Sequence, residues 1–223
     1  MADLPLRMWG GARFRQGVAI AIGAGLLLWP GLVNHYPILF SDTHAFLVQA
    51  GQPRMVWDKP FFYGPFLRAL HWGVTLWLPM AAQGLILSHL LWLLGRALGW
   101  ASAGRHVALC AALAAGSAAP WVAALLMPDI FAPIAVLGLT LLAFGDRLSR
   151  RQRGWAGLLA SLAIAVHLTH LLIAAACLGV VLLLRPRRLA VAALPLLAAL
   201  GLLVASNIIG FGRVAVSPYG AVF

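Results

Sequence analysis

Five acidic residues occur in this 223-residue chain, all of them aspartate, against sixteen lysines and arginines. Asp42, Asp58 and Asp129 stand beside apolar runs long enough to cross a membrane. A carboxylate near hydrocarbon is costly unless it has a partner or a task, so these positions mark the candidate chemistry. Asp42 lies in Ser41-Asp42-Thr43-His44, ahead of Ala45-Phe46-Leu47-Val48. Two roles fit it: a general base or acceptor-orienting group at a membrane surface, and the N-cap of a short helix, a place Asp favours. Asp129, in Met127-Pro128-Asp129-Ile130, carries the same two readings. His167 and His170 are three residues apart and share a helix face. Neutral imidazoles at this spacing suit a divalent cation held with Asp129, and protonated ones suit phosphate. The plainer use is hydrogen bonding between helices. Arg68 offers a bidentate grip on a phosphate headgroup, or a side chain snorkelling from a span end. Arg54, Asp58 and Lys59 add both signs of charge to the same segment.

The elements that position these residues are apolar. Hydrophobic residues make up 63% of the chain and charged ones 9%, where a soluble domain carries roughly 25% charged. The class expected is all-α, a polytopic transmembrane helical bundle. The net charge of +11 would point to nucleic acid in a soluble chain. Here the bases flank apolar runs, so they read as topology and no nucleic-acid partner is expected. Cys110 and Cys177 fall inside apolar runs and read as small packed side chains.

A helix needs about 20 residues to cross the hydrocarbon core. The apolar segments are 17–33, 69–94, 107–127, 130–145, 154–169, 171–184 and 189–210. The stretch 154–184 is short for two crossings, and one tilted helix is the alternative there. Arg7, Arg13 and Arg15 precede the first segment without a cleavage motif after it, as in an uncleaved signal anchor. With the N-terminus inside, seven crossings put twelve basic residues in the cytoplasm. Arg54, Lys59, Arg68 and Arg213 fall outside. The prediction is a single transmembrane domain over 1–223 with about seven spans, N-in and C-out. Residues 34–68 form an extracytoplasmic loop containing short amphipathic helices. Arg-rich, Ala- and Leu-rich composition fits a bacterial gene of high GC content, hence a multi-pass protein of the bacterial cytoplasmic membrane surrounded by membrane lipids. No span centre carries an acid, and no P-loop, HExxH or GxSxG motif occurs.

Phe40-Ser41-Asp42-Thr43-His44-Ala45-Phe46 resembles the first outer-loop motif of the type-C (GT-C) integral membrane glycosyltransferases. Asp58-Lys59-Pro60-Phe61-Phe62-Tyr63-Gly64-Pro65-Phe66 is similar to that family's Pro/Tyr-rich return to the second span, and Pro128-Asp129-Ile130-Phe131 to its second acidic loop. The resemblance implies a seven-span core and sugar transfer from a polyprenyl-phosphate-linked donor at the extracytoplasmic face. It implies Asp42 as the carboxylate that deprotonates or orients the acceptor. Asp129 would bind a divalent metal cation or the donor phosphate, with His167 or His170. Arg68 and Arg54 would neutralise the leaving phosphate. Family members often pair acids in the first loop, where Asp42 stands alone. They also continue into further spans or an outer domain, so the ending at Ser217-Pro218-Tyr219 is expected to be that of a truncated form or fragment. The competing expectation is a non-catalytic membrane protein, an assembly partner or lipid-binding module of a cell-envelope complex, in which Asp42 and Asp129 are caps.

Overall fold

Prolines, glycines and capping serines divide the apolar runs into helices. The computed structural model describes residues 4–52, 55, 56 and 58–217. Arg54, Trp57 and the ending at 218–223 lie outside the described residues. The helices are α1 (Leu4–Leu27), α2 (Trp29–Val33), α3 (Thr43–Gly51), α4 (Tyr63–His71), α5 (Trp77–Leu98) and α6 (Ala103–Gly116). They continue as α7 (Ala119–Ala124), α8 (Phe131–Phe144), α9 (Arg150–Ala165), α10 (Thr169–Leu184) and α11 (Leu189–Phe211). Short 3-10 turns precede α8 and α11 at Pro128–Ile130 and Pro186–Arg188. Among the described residues the architecture is all-α, with one isolated parallel bridge between Ile38 and Leu125. Two helices are long and apolar enough to cross a membrane, Trp77–Leu98 and Pro186–Phe211; Pro128–Phe144 and Thr169–Leu184 are apolar but shorter.

Several boundaries differ from the sequence-based ones, each for a local reason. The second apolar run does not begin as one helix at 69. α4 ends at His71 because Trp72 and Gly73 both take left-handed backbone, at φ 49° and 75°. Thr75 then accepts from the Trp77 amide and helps start α5. Pro30 and Pro120 stand at the starts of α2 and α7, where a missing N–H costs least. The disputed stretch 154–184 is two helices, since α9 stops at Ala165 and α10 starts at Thr169. α9 opens earlier than expected, on a capping box in which Ser149 and Gln152 exchange side-chain to backbone hydrogen bonds.

Small residues let the helices approach closely. α8 packs along α9, and a Cβ on Gly138 would lie 2.9 Å from the Ala156 carbonyl and 2.8 Å from the Ala160 Cβ. α1 packs on α5 and α6 in the same manner at Gly23. There Ser88 donates to the Ile20 carbonyl at 2.8 Å and lies 3.0 Å from His106 Nε2. Close packing of this kind, with such hydrogen bonds, holds the helices together. Away from the acidic loops, Asp146 pairs with Arg185 at 3.1 Å and with Arg188, tying the end of α8 to the start of α11.

Candidate functional site

Two acid-bearing loops are stitched together by backbone. After α2 the chain runs extended, and the Ile38 amide donates to the Ala124 carbonyl at 3.0 Å. The Leu126 amide returns a bond to Ile38 at 2.9 Å. Thr43, buried at the first position of α3, donates its hydroxyl to the Leu126 carbonyl at 3.1 Å and accepts from the Phe40 amide at 2.9 Å. These contacts fix the Asp42 loop against the segment that runs through Met127 and Pro128 into Asp129.

Asp42 occupies the N-cap position of α3 but makes no capping bond with its side chain. Its carboxylate instead accepts from Lys59 Nζ at 2.7 Å, with Asp58 on the same ammonium at 3.3 Å. The Asp42 side chain is 48% exposed and that of Lys59 only 15%. Lys59 also lies over the Phe46 ring, 5.6 Å from its centre. Burial works to lower the Lys59 pKa, yet hydrogen bonds and charge from both aspartates outweigh it and the net shift is upward. Lys59 therefore serves Asp42 first and Asp58, its neighbour in the chain, second.

Beneath the loops, Tyr63 donates to Gln83 Oε1 at 2.7 Å. Gln83, fully buried on α5, donates its amide to the Ala123 and Leu125 carbonyls at 3.0 and 2.9 Å. One side chain thus satisfies the backbone beside the bridge and anchors α4. Tyr63 is packed edge-on against Phe46 and Phe131 and stacked on Phe66. Burial, and then the charge of Asp129, push its phenol well above the usual range, so it stays a hydrogen-bond donor. Gln83 and Thr43 were missed in the sequence. The signal was present, since an amide inside a lipid-length apolar helix requires polar partners.

Asp129 is exposed within the 3-10 turn and caps neither that turn nor α8. Its charge bears on Tyr63, His167 and His170, and that of Lys59 bears on His167. His167 lies in the linker between α9 and α10, with Nδ1 2.8 Å from the Thr169 hydroxyl. Burial and Lys59 lower its pKa against the opposing pull of Asp129, leaving it neutral near pH 7. His170 is turned inward, Nδ1 on the Ala163 carbonyl at 2.6 Å, and the two rings lie 5.2 Å apart. Among the described residues no three His, Cys, Asp or Glu side chains converge as metal ligands. Both Nδ1 atoms are engaged inside the protein, which leaves the Nε2 atoms as the nitrogens a cation would use.

Arg68 is exposed in the last turn of α4, where burial, and then the Arg68 charge, lower the pKa of His71. Its Nη1 lies 4.0 Å from where a Cβ on Gly73 would stand. Arg54 lies outside the described residues. Two residues after Lys59, Phe61 and Phe62 open one wall of an apolar groove of about 620 Å³. Met55 shares that wall, and Leu202, Ser206 and Ile209 of α11 form the other.

The chain matches no family model, no curated protein and no solved structure among those compared. What the fold defines is an all-helical protein with two helices of membrane-crossing length and apolarity, carrying at one end a cluster of aspartates, lysine, tyrosine and histidines.

Proposed function

We propose that this is a multi-pass protein of the bacterial cytoplasmic membrane, N-in and C-out with about seven spans, acting as a glycosyltransferase of the type-C kind. Its donor would be a polyprenyl-phosphate-linked sugar used at the extracytoplasmic face. Membrane embedding is supported by the apolar side chains left bare around the bundle. Ile209 is 86%, Leu183 81% and Leu172 75% exposed, and water would penalise such a surface heavily. α1, α5, α6 with α7, and α8 to α11 correspond to the seven apolar runs.

The observation that carries the catalytic reading is the Ile38–Leu125 bridge. It brings the loops of Asp42 and Asp129 to one end of the bundle, with Lys59 paired to Asp42 and Asp58 and an apolar groove alongside. Asp42, as the half-exposed carboxylate, takes the proton of the acceptor hydroxyl or orients that hydroxyl for attack on the anomeric carbon. As the sugar's bond to the phosphate breaks, negative charge grows on the polyprenyl phosphate. Lys59 is the cation nearest to meet it, and stabilising that charge is worth more than binding the neutral substrate. The groove takes the first isoprene units of the lipid tail. Arg68 and Arg54 would act further out along the phosphate's approach.

The test is transfer from a polyprenyl-phosphate sugar by the protein reconstituted in vesicles. Asp42→Asn is expected to reduce turnover by about 100-fold or more, with insertion and melting temperature kept. Full turnover in that variant removes Asp42 from the chemistry. The Lys59 ion pair also favours a second reading, in which Asp42 is a structural ion holding α3 to the loop of a non-catalytic membrane protein. That reading predicts no transfer by the wild type and a clear loss of stability in Asp42→Asn.

A further inference from the structure

About 20 Å from Gln83, thirteen residues along α5, a second cavity opens at the other end of the bundle. It encloses about 770 Å³ between the first part of α1, the last turns of α5 and the start of α6. Arg13, Arg15 and Gln16 line it from α1, Trp92 and Arg96 from α5, and Ser102 from the N-cap of α6. Three guanidiniums thus share one concavity. None pairs with a carboxylate among the described residues, whereas Arg185 and Arg188 pair with Asp146. A general excess of inward arginines would spread over the surface, because like charges repel. Arg13, Arg15 and Arg96 are all exposed to solvent, and an anion seated among them would offset their mutual repulsion. The wall supplies further donors in the Gln16 side-chain amide and the Ala103 backbone amide at the start of α6. Trp92 lines the cavity as a buried ring.

We propose that this cavity is a second binding site, for the phosphodiester headgroup of an anionic phospholipid. Phosphate is the anion whose oxygens match guanidinium forks. The cavity is larger than a bare phosphate requires, and Ala12, Ala101, Ala103 and the Trp92 ring give it an apolar side for the glycerol and first acyl carbons. Basic pockets between helices at the cytoplasmic surface hold such headgroups. The site is independent of the glycosyl-transfer reading, and occupancy would lock α1, α5 and α6 together.

The experiment is native mass spectrometry of the full chain released from phosphatidylcholine nanodiscs doped with phosphatidylglycerol. Wild type is expected to retain one phosphatidylglycerol, favoured over phosphatidylcholine on the order of tenfold or more. Arg13→Gln with Arg96→Gln should abolish that preference, while Arg13→Lys with Arg96→Lys keeps part of it. Arg150→Gln with Arg151→Gln removes equal charge away from the cavity and should leave retention unchanged. Equal loss in both glutamine pairs would reassign the effect to bulk charge and overturn the site. Equal retention of the two lipids by wild type would do the same. Binding of inorganic phosphate in pure phosphatidylcholine discs, without lipid preference, would overturn the lipid source. Circular dichroism of each variant separates loss of binding from loss of fold.

Discussion

Asp42 illustrates how much a single side chain's partner decides. Its sequence neighbourhood reads equally as a helix cap and as a reactive carboxylate. The structure gives it the N-cap position without the capping bond and hands its oxygen to Lys59. The pair is partly exposed, so solvent screening limits it to about 1 kcal/mol or less. Its pH dependence has a definite sign. The Lys59 pKa is raised from 10.5 on folding, so its contribution is fully present below that value and is lost as pH rises through the folded pKa. Thermal unfolding followed from pH 9 upward should therefore show an alkaline fall in stability that Lys59→Gln flattens. An identical fall in both proteins would show that Lys59 gains nothing from the aspartates. His167 has the opposite linkage. Its lowered pKa favours the neutral ring in the folded state, a contribution present above 6.5 and lost as pH falls through the folded value.

At the scale of elements, glycine and alanine decide how near helices come. Gly138 on α8 faces Ala156 and Ala160 on α9, with a backbone carbonyl inside the space a methyl would take. A carbonyl cannot swing away as a long side chain can, so Gly138→Ala must push the helices apart. The expected cost is about 1–3 kcal/mol, read as a lower melting temperature in detergent. Gly154, on the same helix pair, meets nothing within 4 Å. Gly154→Ala should be neutral or stabilising by up to about 1 kcal/mol through helix propensity. If both substitutions behaved alike, close approach at Gly138 would not be limiting. The break after His71 is another element-scale effect. Hydropathy joins 69–94 into one run, but Trp72 and Gly73 in left-handed backbone separate an amphipathic helix beside the acidic loops from the long helix α5.

The whole molecule sorts charge by end. Asp42, Asp58, Asp129 and Lys59 gather where the Ile38–Leu125 bridge closes the loops, and arginines dominate the ends of α1, α5 and α11 that lie away from it. If the acidic end faces outward, cysteines placed at the two ends of a Cys110→Ala, Cys177→Ala background must label from opposite sides. A maleimide that cannot cross membranes should modify His44→Cys in intact cells and Gly154→Cys only after permeabilisation. Labelling of both from one side would refute the N-in arrangement.

Composition alone dictated the helical class, because so apolar a chain with so few charges satisfies its backbone most readily within helices. It also singled out the acidic positions, since a carboxylate beside lipid-length runs is conspicuous by its cost. What it left open were the contacts between distant segments. Nothing near Asp42 in the chain shows that Thr43 reaches Leu126, or that Gln83 on α5 satisfies the carbonyls beside the bridge. Nor does spacing alone show that His167 and His170 turn their Nδ1 atoms to different internal partners. Such pairings depend on which helix faces meet, a matter of packing between segments as far as 83 residues apart in the chain. Periodicity along the chain carries no record of them. The sequence named the carboxylates, and only the folded loops supplied their partner, Lys59.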